Sequence, residues 1–267
     1  MTAPLFWAPP AELAQARPGH TFTLTGPEAH HAVAVKRLRV GESALLSDAA
    51  GRLAHTTVLD VVPGAAPALS VLIDAIEDVP LRTPRLILVQ ALTKQRRDEA
   101  AVAAATALGV DAIIPWQAAR SVARWLDPPA ALSAKAAQGA ERWLSLARAE
   151  AKVARRPWVP EVLRPADSAA LAGLLSQAIA AGSIGVVLHE DAGAGLAGAL
   201  AGLRRPDSAA AAVYLITGPE GGISSAELAA FAKAGCVQAR LGPEVLRAGL
   251  AGPAALAVSS HLLARWP

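Results

Sequence analysis

The sequence predicts an α/β protein in two parts, a small barrel-like all-β unit followed by a larger domain built on a mostly parallel sheet. Three observations carry the prediction. Residues 20–77 hold short alternating or β-branched runs separated by Gly-, Pro- and Asp-containing turns, the texture of half-buried strands. Beyond residue 84, runs that are apolar on both faces alternate with alanine-rich helical segments, as they do where helices cover a parallel sheet. Between the two lies EDVPLRTP (77–84), whose prolines read as a connection. The boundaries that follow are 1–77 for the β unit, 78–84 for the linker and 85–267 for the α/β domain. A chain of 267 residues can give each part its own core, since domains commonly run to ~100–150 residues.

The elements follow in order. TFTLT (21–25), HAVAVKRLRV (31–40), SALLSD (43–48), LAHTTVLDVV (53–62) and LSVLIDAI (69–76) read as the strands of the first unit, with DAAGR (48–52) a turn. In the second, RLILVQAL (85–92) is a continuous apolar strand, and RRDEAAVAAATALG (96–109) is a helix stopped by Gly109. DAIIPW (111–116) is a strand, and SAKAAQGAERWLSLARAEAKVARR (133–156) is a long helix carrying much of the positive charge. SIGVVLHE (183–190) and AAVYLIT (211–217) are buried-type strands followed by helical segments, and CVQARLG (236–242) precedes a last alanine-rich helix.

Composition narrows the function. The apolar fraction is 53%, much of it alanine, and no run approaches the ~18–20 residues of a membrane span. The N-terminus lacks the basic stretch and apolar core of a secretion signal. The single cysteine, Cys236, excludes an internal disulfide and a cysteine-rich zinc site. Histidines and carboxylates do not fall at ligand spacings, so no metal is expected, and the expected location is the cytoplasm.

The net charge of +3 is unevenly spread: residues 1–80 sum to −3, 81–164 to +7 and 165–267 to −1. The basic middle also holds Trp116, Trp125, Trp143 and Trp158 among Arg120, Arg124, Arg142, Arg148, Lys152, Arg155 and Arg156. Interleaved cations and aromatics suit a phosphate backbone with exposed bases; the alternative is a solvated helix face over core tryptophans.

The stretch TGPEGGISSAEL (217–228) follows the strand AAVYLIT directly, where ligands sit in open α/β sheets. Gly218, Gly221 and Gly222 let backbone groups reach a ligand and permit unusual dihedrals, while Ser224 and Glu227 fit a capping box that opens a helix. GPEGG is neither GxxxxGK[ST] nor GxGxxG, which disfavours a phosphate cradle or a dinucleotide fold. A second glycine loop, RLGPEVLRAGLAGPAAL (240–256), places Gly242, Gly249 and Gly252 around Arg247. Two such loops after neighbouring strands imply one shared pocket.

The elements HHAVAVKRLRVGE, ALGVDAIIPWQAARSV, ERW, RRPWVPEV, LHE, ITGPEGGISSAEL and LGPEVLR occur in an order and at spacings that resemble the small-subunit ribosomal RNA uridine-N3 methyltransferases of the SPOUT superfamily, over nearly the whole chain. GPEGG followed by LGPxxLR about twenty residues on is the most specific part. The resemblance implies an N-terminal PUA-like β-barrel that binds RNA, and a C-terminal SPOUT α/β domain with a deep trefoil knot. It also implies a homodimer acting in the cytoplasm, S-adenosylmethionine as methyl donor, and 16S rRNA or the assembled small subunit as substrate. Nothing in composition points to a knot, since threaded chains are rare.

The resemblance further implies that Leu215, Ile216, Gly218, Glu220, Gly221, Gly222, Leu241, Gly242 and Leu246 surround the cofactor, with His189 bordering its adenine. Glu220 either holds a ligand group or binds backbone N–H groups. Arg247 is expected to stabilise negative charge on a uracil as N3 loses its proton, or to hold the target phosphate; otherwise it pairs with Glu244. Arg120 joins it in the catalytic set as an RNA contact, or else pairs with an acidic neighbour. His31, Lys36, Arg37 and Arg39 of the first unit, with Arg155 and Arg156, are expected to grip RNA. The chain departs from the family pattern at Ala248, Gly249 and Leu250, where polar residues are usual, and at Ala107, Ala119 and Val153. The departures keep a second reading open, a ribosome-associated RNA-binding or assembly protein of the same fold with weak or no transfer.

Overall fold

The computed structural model describes residues 3–127, 131–201 and 212–266. The chain divides into two compact units, Met1–Leu81 with Ala151–Val159, and Arg82–Glu150 with Pro160–Pro267.

In the first unit, strands β1 (Leu5–Trp7), β2 (Thr21–Thr25), β3 (Ser43–Ser47), β4 (Arg52–Val62) and β5 (Ala68–Asp78) form one sheet in the order β1-β3-β4-β5-β2. Pairing is antiparallel except between β1 and β3. Alternation works as the sequence suggests: Phe22 and Leu24 turn inward from β2 to meet Leu46, Val58, Leu69, Val71 and Ile73. The long strand β4 shifts register against β5 between His55 and Thr56 and again between Val58 and Asp60, irregularities that bend a strand. Short helices α1 (Pro10–Leu13) and α2 (Gly26–His30) complete the unit.

One expected strand is absent. HAVAVKRLRV continues α2 as a π-helical turn over His31–Val35. Pro27 opens α2 in its first turn, a favoured place for a residue with fixed φ and no N–H to lose. Ala29 and Ala32, three apart, are then buried while Ala34 is exposed; a strand would have buried Ala32 and Ala34 together. The segment Ala151–Val159 also belongs to this unit rather than to the α/β domain. Gly51 donates to Pro157 O at 3.0 Å and Val159 to Ala49 O at 3.1 Å. The Trp158 indole lies so close to Gly51 that a Cβ there would sit 2.5 Å from the ring, and its Nε1 donates to Val79 O at 2.7 Å.

The second unit contains β6 (Arg85–Ala91), α3 (Arg97–Ala107), β7 (Ala112–Gln117), the short pair β8 (Leu126–Asp127) and β9 (Ala131–Leu132), and α4 (Ala134–Val153), whose last turn falls in the first unit. It continues with β10 (Glu161–Val162), β11 (Ala166–Asp167), α5 (Ser168–Ala180), β12 (Ile184–Leu188), α6 (Leu196–Ala201), β13 (Ala212–Thr217), α7 (Ser225–Lys233), β14 (Val237–Ala239) and α8 (Ala248–Leu262). The sheet runs β10-β7-β6-β13-β12-β14, all parallel, with β11 also on β7. One face packs Ile87, Val89, Ile114, Val187 and Ile216 against Leu171, Leu175 and Phe231.

Two of the four tryptophans, Trp116 and Trp143, go to the interior of this unit rather than to an RNA-facing stripe. Trp116 and Trp143 are fully buried, stacked edge to face on Phe231 and Trp125 respectively, and Trp125 covers Gly139 so closely that a Cβ would overlap it. Large aromatic area is better spent in a core than in water. At the opposite end of the sheet from the site, Arg265 grips Asp111 with both nitrogens, at 2.6 and 3.2 Å, and donates to Pro84 O and Gly109 O. Both residues are buried, so the C-terminus is pinned beneath β6 and β7.

Candidate functional site

Parallel strands deliver their C-terminal ends to one edge, and five loops leave that edge together: 92–96 after β6, 118–125 after β7, 189–195 after β12, 218–224 after β13 and 240–247 after β14. Among them lies a cavity of about 570 Å³ lined by Arg97, Arg120, His189, Thr217, the run 218–223, Leu246, Arg247, Ala248 and Ala251. A smaller lobe of about 70 Å³ continues past His189, Leu246 and Ala251 to Leu241, Gly242 and Glu244.

The glycine loop is held from several sides. Ser224 caps α7 in a complete capping box with Glu227. Glu227, 4% exposed, also accepts from Ala119 N at 2.7 Å and from the Ser168 hydroxyl at 2.5 Å, joining the β7 and α5 segments to the start of α7. Burial works to raise its pKa, but the bonds from Ser168, Ala119 and Ser224 outweigh it and hold the carboxyl below its ordinary value. The Arg120 guanidinium donates to Gly221 O at 2.9 Å. On the other side Glu220 accepts from Lys94 N at 3.2 Å and lies 3.6 Å from the Arg97 guanidinium. Glu220 therefore binds a backbone N–H, though of a different loop from its own.

The glycines answer to the protein's own packing. A Cβ on Gly218 would stand 2.6 Å from Ile223, one on Gly221 3.1 Å from Arg120, and Gly222 has φ +71°. Gly249 touches Arg97 O, at 2.7 Å from its missing Cβ, and Gly252 faces Leu88 at the same distance, so α8 rides close against α3 and β6. Of the triplet 248–250 that departs from the family pattern, one residue reaches the cavity wall. Ala248 does line the cavity, but Gly249 meets Arg97 and Leu250 is 53% exposed.

The structure brings Arg120, Arg247, His189, Gly218, Glu220, Gly221, Gly222 and Leu246 onto the larger cavity, and Leu241 and Gly242 onto the lobe. Leu215 and Ile216 are not on either wall. They sit inside β13, in the middle of the sheet between β6 and β12, with no exposure, Ile216 in the core cluster with Leu171, Leu175 and Phe231; the next residue, Thr217, is the one that reaches the cavity. Its Oγ1 is buried without a hydrogen-bond partner among the described residues. His189 Nδ1 accepts from Asp191 N at 3.2 Å. Arg247 is the N-cap of α8, in extended geometry and exposed, not on a helix with Glu244. Arg97 was missed by the sequence reading, although the adjacent cations of KQRR at a strand end were a signal. In the first unit, Lys36, Arg37, Arg39 and Arg155 are exposed while His31 and Arg156 are partly buried. Burial and the nearby Lys152 charge hold the His31 pKa below its usual value. Among the described residues no group of three or more His, Cys, Asp or Glu is placed to hold a metal, and no helix is long and apolar enough to cross a membrane.

The sequence matches the RNA methyltransferase domain family over residues 80–260 and the RNA methyltransferase PUA domain over 24–63. A ribosomal RNA small subunit methyltransferase E of Mycobacterium bovis is 37% identical over 248 residues, covering 93% of this chain and 89% of that protein. The chain belongs to this RNA methyltransferase family. The ribosomal RNA small subunit methyltransferase E of Bacillus subtilis is 28% identical over 242 residues and 90% of each chain. The fold matches the Neisseria gonorrhoeae family member, solved bound to S-adenosyl methionine, with TM-score 0.77 at 22% identity and 98% of both chains covered. A crystal structure of a hypothetical protein gives TM-score 0.76 at 26% identity, covering 97% of this chain and 98% of that one.

Proposed function

We propose that this protein transfers the methyl group of S-adenosylmethionine to N3 of a uridine in 16S rRNA of the small ribosomal subunit. The observation that carries the reading is the cavity at the C-terminal sheet edge, walled by both glycine loops and edged by Arg97, Arg120 and Arg247. Its about 570 Å³ falls in the ~300–1,000 Å³ range of small-molecule sites. The unpartnered Thr217 Oγ1 offers a polar group a ligand can satisfy, and the relatives' names and the S-adenosyl methionine bound by the Neisseria protein support the choice. Backbone and side chains of Thr217–Gly222 and Leu241–Leu246 would hold the cofactor.

Bound there, S-adenosylmethionine supplies an electrophilic methyl on a sulfonium. The chain's own residues orient the partners and favour the ionised base. Arg247, exposed at the mouth, stabilises negative charge on the uracil carbonyls as the N3 proton leaves. Arg120, fixed to Gly221 O, holds the loop's shape and presents positive charge to the RNA. Lys36, Arg37 and Arg39, with His31, Arg155 and Arg156, grip RNA from the first unit. The family's trefoil knot in the second unit and a cytoplasmic location belong to the same reading.

A homodimer belongs to it too. Leu250, Val258 and Leu262 are 53%, 39% and 44% exposed and, with Ala254, follow at four-residue spacing along α8, an apolar stripe that a second copy would cover. Light scattering on a Leu250→Glu/Val258→Glu variant reads monomer if this is the interface and dimer if it is not.

The test of function is transfer of labelled methyl from S-adenosylmethionine to small subunits of a strain lacking this enzyme, comparing wild type with Arg247→Ala. We expect label at one uridine N3 and a loss of at least about 100-fold in the variant, equal to about 2.7 kcal/mol. Label at another atom overturns the reading of the reaction, and cofactor binding without transfer favours the RNA-binding alternative.

A further inference from the structure

The cavity's rim on the β6 side is a tight turn, Lys94–Arg96, that leads into Arg97 at the start of α3. The four side chains, Lys-Gln-Arg-Arg, are all exposed, and Arg97 also lines the cavity. Gln95 (φ 54°, ψ 31°) and Arg96 (φ 57°, ψ 30°) are both left-handed. Residues with a Cβ visit that region singly and at a cost, and two in succession persist only where the surroundings impose them.

The surroundings here are specific. Thr93 N donates to the Asp98 carboxylate at 3.1 Å and Asp98 N returns a bond to the Thr93 hydroxyl at 2.8 Å, with Asp98 5% exposed. Glu220 then holds Lys94 N from the glycine loop. The turn is locked both to the domain's frame and to the cavity wall. A turn that only had to be soluble would be built more easily from glycine or asparagine.

Its charge is only partly compensated. Glu220 lies 3.6 Å from Arg97, and the single carboxylate of Glu99 is shared by Arg96 at 3.7 Å and Arg142 at 3.2 Å. The Lys94 ammonium has no ion pair among the described residues. Four cations thus face two exposed or half-buried carboxylates beside the cavity mouth. A base that enters such a cavity must be turned out of its strand, and the phosphates on either side of it are then left at the mouth.

We propose that the Lys94–Arg97 turn is a fixed phosphate grip for the RNA strand flanking the nucleotide that enters the cavity, Lys94 and Arg96 taking backbone phosphates and Arg97 standing at the mouth. The inference rests on the methyltransferase reading and names the surface that receives its substrate.

The test uses the full chain, small subunits from a strain lacking this enzyme, and a Lys94→Ala/Arg96→Ala variant. Subunit binding is measured across a salt series and S-adenosylmethionine binding by calorimetry. The slope of log K against log salt should fall in magnitude by about 1.4, at ~0.7 per single-strand phosphate contact, and subunit affinity at moderate salt should weaken at least tenfold, with cofactor affinity unchanged. Gln95→Gly, which keeps both cations and suits the left-handed position, should leave both slope and affinity at the wild-type values. An unchanged slope and affinity in the double variant overturns the grip, as does a matching loss of cofactor affinity, which would assign the turn to the cofactor site. Wild-type protein that binds neither cofactor nor subunits fails the underlying reading instead.

Discussion

Removing the Glu227 carboxylate is expected to loosen the whole cavity floor. Four donors converge on it: Ala119 N at 2.7 Å, Ser168 Oγ at 2.5 Å, Ser224 N at 2.9 Å and Ser224 Oγ at 2.7 Å. Hydrogen bonds to a charged group contribute ~1.5–3 kcal/mol each, and a buried donor left unmet costs ~1–3 kcal/mol. Ala119 is exposed and the Ser168 hydroxyl is free to rotate, so water and rearrangement recover part of the loss. The expected cost of Glu227→Ala is about 3–5 kcal/mol and of Glu227→Gln, which keeps one acceptor, about 1–2 kcal/mol. Urea unfolding should show the alanine midpoint lowered by about 1–3 M at an unchanged m-value. The pH dependence has a definite sign. Because the folded-state pKa is depressed, the stabilisation is fully present above the ordinary glutamate value and disappears as pH falls through the lowered one, so wild type and Glu227→Gln should converge in acid. An alanine variant that loses less than about 1 kcal/mol, or a difference from wild type that persists at low pH, would refute this account of the hub.

Two further perturbations follow from the packing. Gly249→Ser places a side chain against Arg97 O, 2.7 Å from the new Cβ, and should destabilise by about 1–3 kcal/mol rather than restore a pocket wall; a more stable variant by urea unfolding would mean that α8 does not ride on α3. Cys236 is buried and its thiol is pushed up to about 11 by desolvation, so an aromatic disulfide reagent at pH 8 should find only about one thiolate in a thousand and react only on unfolding, and rapid labelling of the native protein would contradict this.

Much of this was legible because it is local. The strand alternation, the helix stop at Gly109 and the Ser224–Glu227 box each depend on residues within one or two turns, and the loops after the strands drew attention to the cavity. Five features were not, and most of them depend on partners distant in sequence. HAVAVKRLRV alternates like a strand, but Pro27 and the burial of Ala29 and Ala32 make it helical. Trp116 and Trp143 look like an RNA-facing series until Phe231 and Trp125, far off in sequence, enclose them. Leu215 and Ile216 adjoin the glycine loop in sequence but lie buried in the middle of the sheet, Ile216 in the core with Leu171, Leu175 and Phe231. Gly249 reads as an absent side chain, and only the approach of Arg97 O explains it. Arg97 itself was hidden because nothing within its own segment indicates that Glu220, 123 positions on, turns it toward the cavity.

The central claim is that the cavity between the two glycine loops holds S-adenosylmethionine, and its most direct test is a calorimetric titration of wild type beside Ala251→Phe. Ala251 lines both lobes, and a phenyl ring there projects into the space where they meet, from the first turns of α8. One site per chain in wild type, weakened at least about 100-fold, or ~2.7 kcal/mol, in a variant with the wild-type urea midpoint, is the expected result. Equal affinity in the two proteins, or no binding by wild type, would contradict it.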